Sequence, residues 1–172
     1  MAIKLRTATV DDAVQLQVFS RRTFAETFAE SNSPEDLETY LEERLSFEQI
    51  SAELCNPESI FILAESAGEL LAFAKVNWGT AQTVARGAHS FELERLYVVK
   101  HAKGKGLGSI LMEWALNQAR ANGAEELWLG VWEHNLEARE FYARHGFSEV
   151  GSHIFTLGSD AQIDLILAKP LS

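Results

Sequence analysis

The chain has 172 residues, of which 47% are hydrophobic and 23% are charged, and its formal net charge is −10. This composition is ordinary for a soluble globular protein, and a chain of this length buries enough surface to fold without disulfides or structural metals. We therefore expect one domain spanning residues 1–172. A strongly acidic chain lacks the basic face that nucleic acid requires, so we expect no nucleic-acid partner.

The sequence does not indicate membrane, disulfide or metal chemistry. The start M-A-I-K-L-R has no apolar segment of the signal-peptide type, and no run of about 18 apolar residues occurs. The single cysteine, Cys55, excludes an internal disulfide, and the five histidines lack the spacing of metal ligands. We expect a cytoplasmic protein with no bound metal and no membrane partner.

The N-terminal third is predicted to contain one short strand followed by three helices. Residues 3–6 alternate between apolar and basic side chains, as in a strand. The helix starts are marked by three capping signals, which are Thr9 with Asp12, Ser33 with Pro34, and Ser46 with Gln49. The first helix is expected to bury one apolar stripe, formed by Val10, Ala13, Val14, Leu16, Gln17, Phe19, Phe24 and Phe28.

Most of the negative charge lies in this helical region. Residues 26–58 contain ten carboxylates and one basic residue, Arg44. The simplest interpretation is that these acids cover solvated helix faces, and the alternative is that they attract a cationic substrate.

From residue 59 the pattern changes to strands. The predicted elements are, in order, a hairpin (60–78), a strand (90–99), a helix ending at Ala121, a strand (127–131), a helix (136–144) capped by Asn135, and a closing hairpin (147–168). The strand–helix–strand unit over residues 91–131 needs a crossover, so its two strands are expected to lie parallel.

Residues 91–109 combine a strand, a short basic segment (100–103) and a glycine-rich turn at which a helix begins. Glycines let backbone N–H groups approach a ligand, and a helix start aims further N–H groups and its positive dipole end at that ligand. This order predicts a phosphate site. The turn has neither the ending of a P-loop nor the acidic residue of a dinucleotide fold, and Lys103 and Lys105 suit a pyrophosphate that is bound without being cleaved.

A second motif follows this loop further along the chain. It comprises Asn135, Ala138, Phe141-Tyr142 and Gly146-Phe147. Together with the loop at residues 103–108, it resembles the GCN5-related N-acetyltransferases (GNAT), whose loop reads R/Q-x-x-G-x-G/A. Lys103 departs from that pattern, and a lysine lacks the planar donor set of an arginine. The resemblance implies an α/β (α+β) fold with a central mixed, mostly antiparallel sheet of six to seven strands flanked by helices, and with a parallel pair splayed at the cofactor site.

The resemblance also implies acetyl-coenzyme A as cosubstrate and a set of residues that would bind it. These residues are Leu96, Tyr97, Val98, Lys103, Gly104, Lys105, Gly106, Leu107, Gly108, Ser109 and Asn135. A strand bulge near 96–98 would offer main-chain groups to the pantetheine arm, and Asn135 would contact that arm or simply cap its helix. Tyr142 would protonate the leaving thiolate, and the alternative is that it is a core aromatic.

Acetyl transfer needs a neutral amine, whereas a primary amine with a pKa of about 10.4 is almost fully protonated at pH 7. A general base is therefore required. Glu92 and Glu94 lie at alternate positions of the predicted strand and so point to one face. They would bind the cation and accept its proton if that face lines a cleft, and they are ordinary strand charges if it meets solvent. With no suitably placed thiol, we expect direct transfer in a ternary complex.

Five further segments resemble the PaiA-type spermidine/spermine acetyltransferases. They are N-S-P-E (32–35), A-K-V-N (74–77), W-L-G-V-W-E-H-N (128–135), G-S-H-I-F-T-L-G (151–158) and D-L-I-L-A-K-P-L (164–171). This resemblance implies acetylation of a primary amine of a small polycation. The alternatives are another amine, such as an aminoglycoside, an amino acid, or a protein lysine or N-terminus, and a regulatory protein that binds coenzyme A without turnover. The sequence does not predict the oligomeric state, and a homodimer is one option.

Overall fold

In the computed structural model, which describes residues 2–171, seven strands form one sheet. The strands are β1 (Lys4–Thr7), β2 (Ser59–Ser66), β3 (Glu69–Asn77), β4 (Ser90–Val98), β5 (Glu126–Trp132), β6 (Ser148–Leu157) and β7 (Asp160–Pro170). The α-helices are α1 (Ala13–Phe28), α2 (Pro34–Arg44), α3 (Phe47–Leu54), α4 (Leu107–Ala121) and α5 (Leu136–Arg144). The spatial order is β1-β2-β3-β4-β5-β7-β6, and every neighbouring pair is antiparallel except β4 with β5. The predicted fold class is confirmed.

The helix starts follow their capping signals. Thr9 and Asp12 form a capping box, although one 3-10 turn intervenes before α1 begins at Ala13. Ser33 caps α2 by accepting a hydrogen bond from the backbone N–H of Asp36. These boundaries depend only on groups a few residues apart, which is why the sequence predicts them closely.

The predicted apolar stripe of α1 is partly wrong. Ala13, Leu16 and Phe19 are buried against the sheet, whereas the side chains of Val10 and Val14 are 51% and 61% exposed. Successive helical residues are rotated by about 100°, so Val14 cannot share the face that buries Ala13 and Leu16.

The parallel strands β4 and β5 pair over a short length and then separate. Their register covers only residues 90–92 and 126–128. Beyond Glu92, β4 stays paired with β3 as far as Val98, while β5 stays paired with β7 as far as Trp132. Because each strand follows its other neighbour, a gap opens in the sheet, as the predicted splayed pair requires.

A β-bulge lies at Glu94. Lys75 pairs with Arg95 and Val76 pairs with Leu93, which leaves Glu94 as the extra residue. The expected position of the bulge near residues 96–98 is therefore wrong. An extra residue breaks the alternation of a strand, so the consecutive Glu94 and Arg95 line the same cavity although simple alternation would place them on opposite faces.

Candidate active site

A cavity of about 1300 Å³ occupies the gap between β4 and β5. One end is lined by the glycine-rich turn, the start of α4 and one face of α5. The other end is lined by residues from α1, α2, α3, β6 and β7 and from the loop at 79–89. The cavity therefore joins a helix N-terminus, which suits an anion, to a second compartment of different composition.

The glycine-rich turn exposes backbone at the start of α4. Gly104 and Gly106 have φ values of 79° and 83°, in the left-handed region that favours glycine. Gly106 is the N-cap of α4 and has no side-chain cap, so the first N–H groups of the helix are available to a ligand. A Cβ at Gly108 would lie 3.3 Å from the ring of Phe141, so this glycine lets α4 and α5 approach. The donor set fits a pyrophosphate.

Most of the predicted cofactor residues line this end of the cavity. The residues brought together are Leu96, Tyr97, Val98, Lys103, Gly104, Gly106, Leu107, Gly108, Ser109 and Asn135. Lys105 is exposed and is not among the lining residues. Asn135 also caps α5, because its Oδ1 accepts a hydrogen bond from the N–H of Ala138 at 3.3 Å.

Tyr142 lines the cavity from α5. Its ring packs against Phe141 and Phe147, with ring centroids 5.3 and 6.0 Å apart. Burial raises the pKa of the phenol to about 12. The hydroxyl therefore keeps its proton at neutral pH and is available there as a proton donor.

Glu92 is buried, with only 2% of its surface exposed. Its Oε1 accepts hydrogen bonds from Asn77 Nδ2 at 3.0 Å and from the backbone N–H of Thr83 at 2.8 Å, and its Oε2 accepts one from the Thr83 hydroxyl. Burial and the nearby negative charge of Glu94 raise the pKa of Glu92. Thr83 is itself exposed at the cavity wall, so its hydroxyl lies between Glu92 and the cavity.

Glu94 lies in a different electrostatic environment. It accepts hydrogen bonds from Lys75 Nζ at 2.6 Å and Asn77 Nδ2 at 2.8 Å, and it lies 3.1 Å from Arg95. Burial would raise the pKa of Glu94, but the positive charges of Arg95 and Lys75 outweigh burial and lower it to about 2. Glu94 is therefore ionised throughout the physiological range.

Glu53 from α3 completes a buried charge network. Its carboxylate lies 2.5 Å from Arg95 Nη1 and 3.0 Å from Lys75 Nζ. The two cations thus face two carboxylates, Glu53 and Glu94, and their charges balance within the network. Ion pairs buried in this way hold their geometry because separating them exposes an uncompensated charge.

An aromatic wall closes the second end of the cavity. Phe24 of α1 stacks on Tyr40 of α2 at 4.4 Å, and Tyr40 contacts Phe155 of β6 at 5.4 Å. Phe28 lies 5.9 Å from Trp132 of β5. All five rings line the cavity. Such rings bind methylene chains by burial and cations by their electron-rich faces.

Asp164 and His153 line the same end from β7 and β6. Both side chains come within 3.4 Å of the position that a side chain at Gly130 would occupy. No hydrogen bond or ion pair of the Asp164 carboxylate is found within residues 2–171. Burial raises the pKa of Asp164 to about 6, against the opposing effect of His153.

Sequence reasoning missed several residues of the site. Asn77, Thr83 and Asp164 are separated from Glu92 by long stretches of chain or by a loop without a strong pattern, and no local spacing connects them. The segments 74–77, 128–135, 151–158 and 164–171 were noted only as resemblances, yet the sheet brings Lys75, Gly130, His153 and Asp164 from them to one cavity. These residues are close only in the folded protein, so no sequence pattern connects them.

The described part of the chain gives no indication of metal or membrane binding. Within residues 2–171, no three His, Cys, Asp or Glu side chains come together in a way that would hold a metal ion. None of the helices there combines the length and apolarity needed to cross a membrane.

The glycine-rich turn at the start of α4 and the splayed parallel pair are the features that the sequence resemblance implied for an acetyl-coenzyme A site. The model of the acetyltransferase (GNAT) family matches residues 21–147. This chain belongs to the acetyltransferase (GNAT) family and is an N-acetyltransferase that uses acetyl-coenzyme A.

Three similar proteins place the chain within that family. An uncharacterized N-acetyltransferase from Lactobacillus delbrueckii subsp. lactis is 36% identical over 169 residues, which is 98% of each chain. The crystal structure of PaiA N-acetyltransferase from Thermoplasma acidophilum, in complex with coenzyme A, is 25% identical with a TM-score of 0.83 and covers 99% of this chain and 100% of that one. Streptothricin acetyltransferase from Streptomyces lavendulae is 33% identical over 91 residues, which is 53% of this chain and 45% of that protein.

Proposed function

We propose that this N-acetyltransferase acetylates a primary amine of a small polycation, with spermidine or spermine as the preferred acceptor. The observation that carries the proposal is the composition of the second end of the cavity. Two carboxyl groups without an ion-pair partner among the described residues, Glu92 and Asp164, line the same cavity as five aromatic rings. Carboxylates attract ammonium groups, and rings bury the methylene chain between them.

In the proposed reaction, Glu92 is the proton acceptor. The acceptor amine loses a proton to the Thr83 hydroxyl as that hydroxyl passes its own proton to Glu92 Oε2, because Glu92 is too deeply buried to meet the amine directly. The neutral amine nitrogen then forms a bond to the thioester carbonyl carbon. The raised pKa of Glu92 favours this transfer, since a proton acceptor works best when its pKa is near the operating pH.

Tyr142 is the proposed proton donor. When the carbonyl re-forms from the addition intermediate, the carbon–sulfur bond breaks and the phenol gives its proton to the thiolate that leaves. The second proton lost by the acetylated nitrogen restores the phenol, and Glu92 releases the first proton to solvent. Glu94, which stays ionised, does not exchange protons and acts as a fixed charge that holds Asn77 toward Glu92. The main chain at 96–98 is proposed to hold the thioester arm by strand-like hydrogen bonds.

The similarity to PaiA N-acetyltransferase supports the polycation proposal. That protein covers the whole of this chain at a TM-score of 0.83, and the five PaiA-like segments lie outside the cofactor loop. A second candidate acceptor is an antibiotic amine, favoured by the partial similarity to streptothricin acetyltransferase. A streptothricin-type amine also carries positive charge, so the charge of the cavity suits both acceptors. An activity assay with each amine distinguishes them.

Thiol release from acetyl-coenzyme A tests the proposal. Wild-type protein is incubated with spermidine, with spermine and with streptothricin, and the free thiol is measured. We expect release with the polyamines, and we expect the Tyr142→Phe variant to lose most of it while binding coenzyme A with unchanged affinity. Release with streptothricin alone would reject the polyamine assignment, and release with none of these amines would reject both acceptors.

A further inference from the structure

We propose that Asp164, with His153 beside it, forms a subsite that binds a second ammonium group of the acceptor, separate from the reacting amine at Glu92. This inference rests on the proposed polycationic acceptor and names the residues that select it. The reacting amine and the second ammonium would then be held at two points of one cavity. An acceptor with a single amine fills only the first point.

Strand register places Asp164 and Glu92 on the same face of the sheet. Glu92 is paired with Trp128 of β5, and Trp132 of β5 is paired with Asp164 of β7, which is in turn paired with His153 of β6. Side chains two and four positions apart on β5 share one face, so all of these groups lie on the same face of the sheet.

The position of Gly130 makes room for the subsite. It lies between Trp128 and Trp132 on that face, and it carries no side chain where Asp164 and His153 approach to 3.4 Å. A larger residue at this position would fill the space above the sheet. The absence of a side chain leaves an opening between the two tryptophans that is bounded by a carboxylate and an imidazole.

None of the basic side chains that line the cavity forms an ion pair with Asp164 within residues 2–171. From α1, Glu26 lines the same cavity but is paired with Arg22 at 3.1 Å, and from β3 and β4 the cations Lys75 and Arg95 are paired with Glu53 and Glu94. Arg44 of α2 lines the cavity, and no ion pair of Arg44 is found within residues 2–171.

The assays are run at pH 8, where spermidine is still charged.

The subsite is tested by pairing two variants with two amines. The amines are spermidine and butylamine, which share an aminobutyl end but differ in the number of ammonium groups. The variants are Asp164→Asn, which removes the charge, and Gly130→Val, which keeps the charge and fills the space. The control is Glu149→Gln, which removes an exposed carboxylate of β6 outside the cavity.

We expect Asp164→Asn and Gly130→Val each to raise the KM for spermidine about tenfold or more, while kcat/KM for butylamine changes less than about twofold. Glu149→Gln should change neither amine. Equal losses for both amines, or no loss for spermidine, would overturn the subsite.

Direct binding separates this inference from the proposed function. The Kd of spermidine is measured by calorimetry on wild-type protein and on Asp164→Asn, both saturated with coenzyme A. Spermidine that binds through Asp164 without being acetylated would leave the subsite standing and reject the proposed function. If both proteins acetylate spermidine with the same KM, the proposed function stands and the subsite is rejected. If spermidine is neither bound nor acetylated, the subsite and the proposed function are both rejected.

Discussion

Glu92 and Glu94 lie two positions apart on β4 and accept hydrogen bonds from the same Asn77 amide, yet their environments move their pKa values in opposite directions. Burial and the negative charge of Glu94 raise the pKa of Glu92, against the opposing effect of the hydrogen bonds from Thr83 and Asn77. Glu94 is buried too, but Arg95 and Lys75 hold its pKa at about 2. Two carboxyl groups separated in this way take different roles, one exchanging protons and one keeping its charge.

The proton route through Thr83 can be tested with an isosteric pair. Thr83→Val removes the hydroxyl that bonds to Glu92 Oε2, so we expect kcat to fall about 100-fold. The same change removes a hydrogen bond that lowers the pKa of Glu92, so the acidic limb of the pH–rate profile should move to higher pH. Thr83→Ser keeps the hydroxyl and should restore both. An unchanged kcat in Thr83→Val would show that the amine reaches Glu92 by another route.

Asp164 carries a predictable cost in stability. Its pKa in the folded protein, about 6, lies above the ordinary value of 3.8, so folding disfavours the ionised form. The cost is absent below pH 3.8, grows as the pH rises toward 6, and is constant above that. We expect Asp164→Asn to raise the free energy of unfolding by about 1–2 kcal/mol at pH 7.5, a figure reduced for partial exposure.

Urea unfolding of wild-type and Asp164→Asn protein at pH 7.5 and pH 4 measures this difference. The gain should largely disappear at pH 4, and Glu149→Gln should show no gain at either pH. A variant that is more stable yet binds spermidine more weakly would link the cost to ligand binding. A loss of stability at pH 7.5 would mean that the Asp164 carboxylate has a favourable partner.

At the scale of elements, the two ends of α4 carry glycines with similar conformations and different tasks. Gly106 at its start and Gly123 just beyond its end have φ values of 83° and 74°, and an added Cβ at either would meet nothing within 4 Å. Only Gly106 lines the cavity. A comparison of variants at these two glycines therefore distinguishes the effect of backbone strain from an effect on ligand binding.

Replacing either glycine with alanine should lower the free energy of unfolding by about 1–2 kcal/mol, because alanine is strained in the left-handed region. Gly106→Ala should also weaken coenzyme A binding about tenfold or more, measured by calorimetry, since the strained turn would turn its N–H groups away from the pyrophosphate. Gly123→Ala should bind coenzyme A as the wild type does. Equal affinities in the two variants would contradict the role of this turn.

Helix α2 presents its acids away from the cavity. Tyr40 and Arg44 line the cavity, whereas Glu38, Glu42 and Glu43 are exposed and do not. Exposed charges farther than about 8 Å from a ligand are largely screened at physiological salt. The structure therefore favours the simpler interpretation for the acids of α2, whose charges are solvated, whereas Glu26 and Glu53 of the same acidic region line the cavity and are paired with basic side chains.

Changing Glu38, Glu42 and Glu43 together to glutamine should leave the KM for spermidine within about twofold at 0.15 M salt. Asp164→Asn, measured under the same conditions, serves as the variant that does raise KM. A rise in the KM of the triple variant that disappears at high salt would show instead that α2 recruits the polycation.

At the scale of the whole molecule, one topological feature creates the site. Strand β7 lies between β5 and β6 in the sheet. Strand β5 stays paired with β7 and β4 stays paired with β3, so the two parallel strands β4 and β5 separate after Glu92. The resulting gap receives the glycine-rich turn from one side and the aromatic helices α1 and α2 from the other. Cofactor and acceptor can thus meet inside the sheet, away from bulk water.

The local features of this protein follow from short segments of its sequence. Helix starts at Ser33 and Ser46, the end of α4 near Gly123 and the anion-binding turn at 103–108 all depend on hydrogen bonds or backbone angles within a few residues, so their signals are readable in the chain. The two-motif resemblance then extended those signals to the family and the cosubstrate.

The residues at the second end of the cavity, by contrast, are brought together by contacts between distant parts of the chain. The bulge at Glu94, the buried pairing of Arg95 with Glu53, the contact of Thr83 with Glu92 and the position of Asp164 over Gly130 each join residues far apart in the chain or break strand alternation. Strand order and register follow from which faces bury the most apolar surface across the whole sheet, and no short segment carries that information.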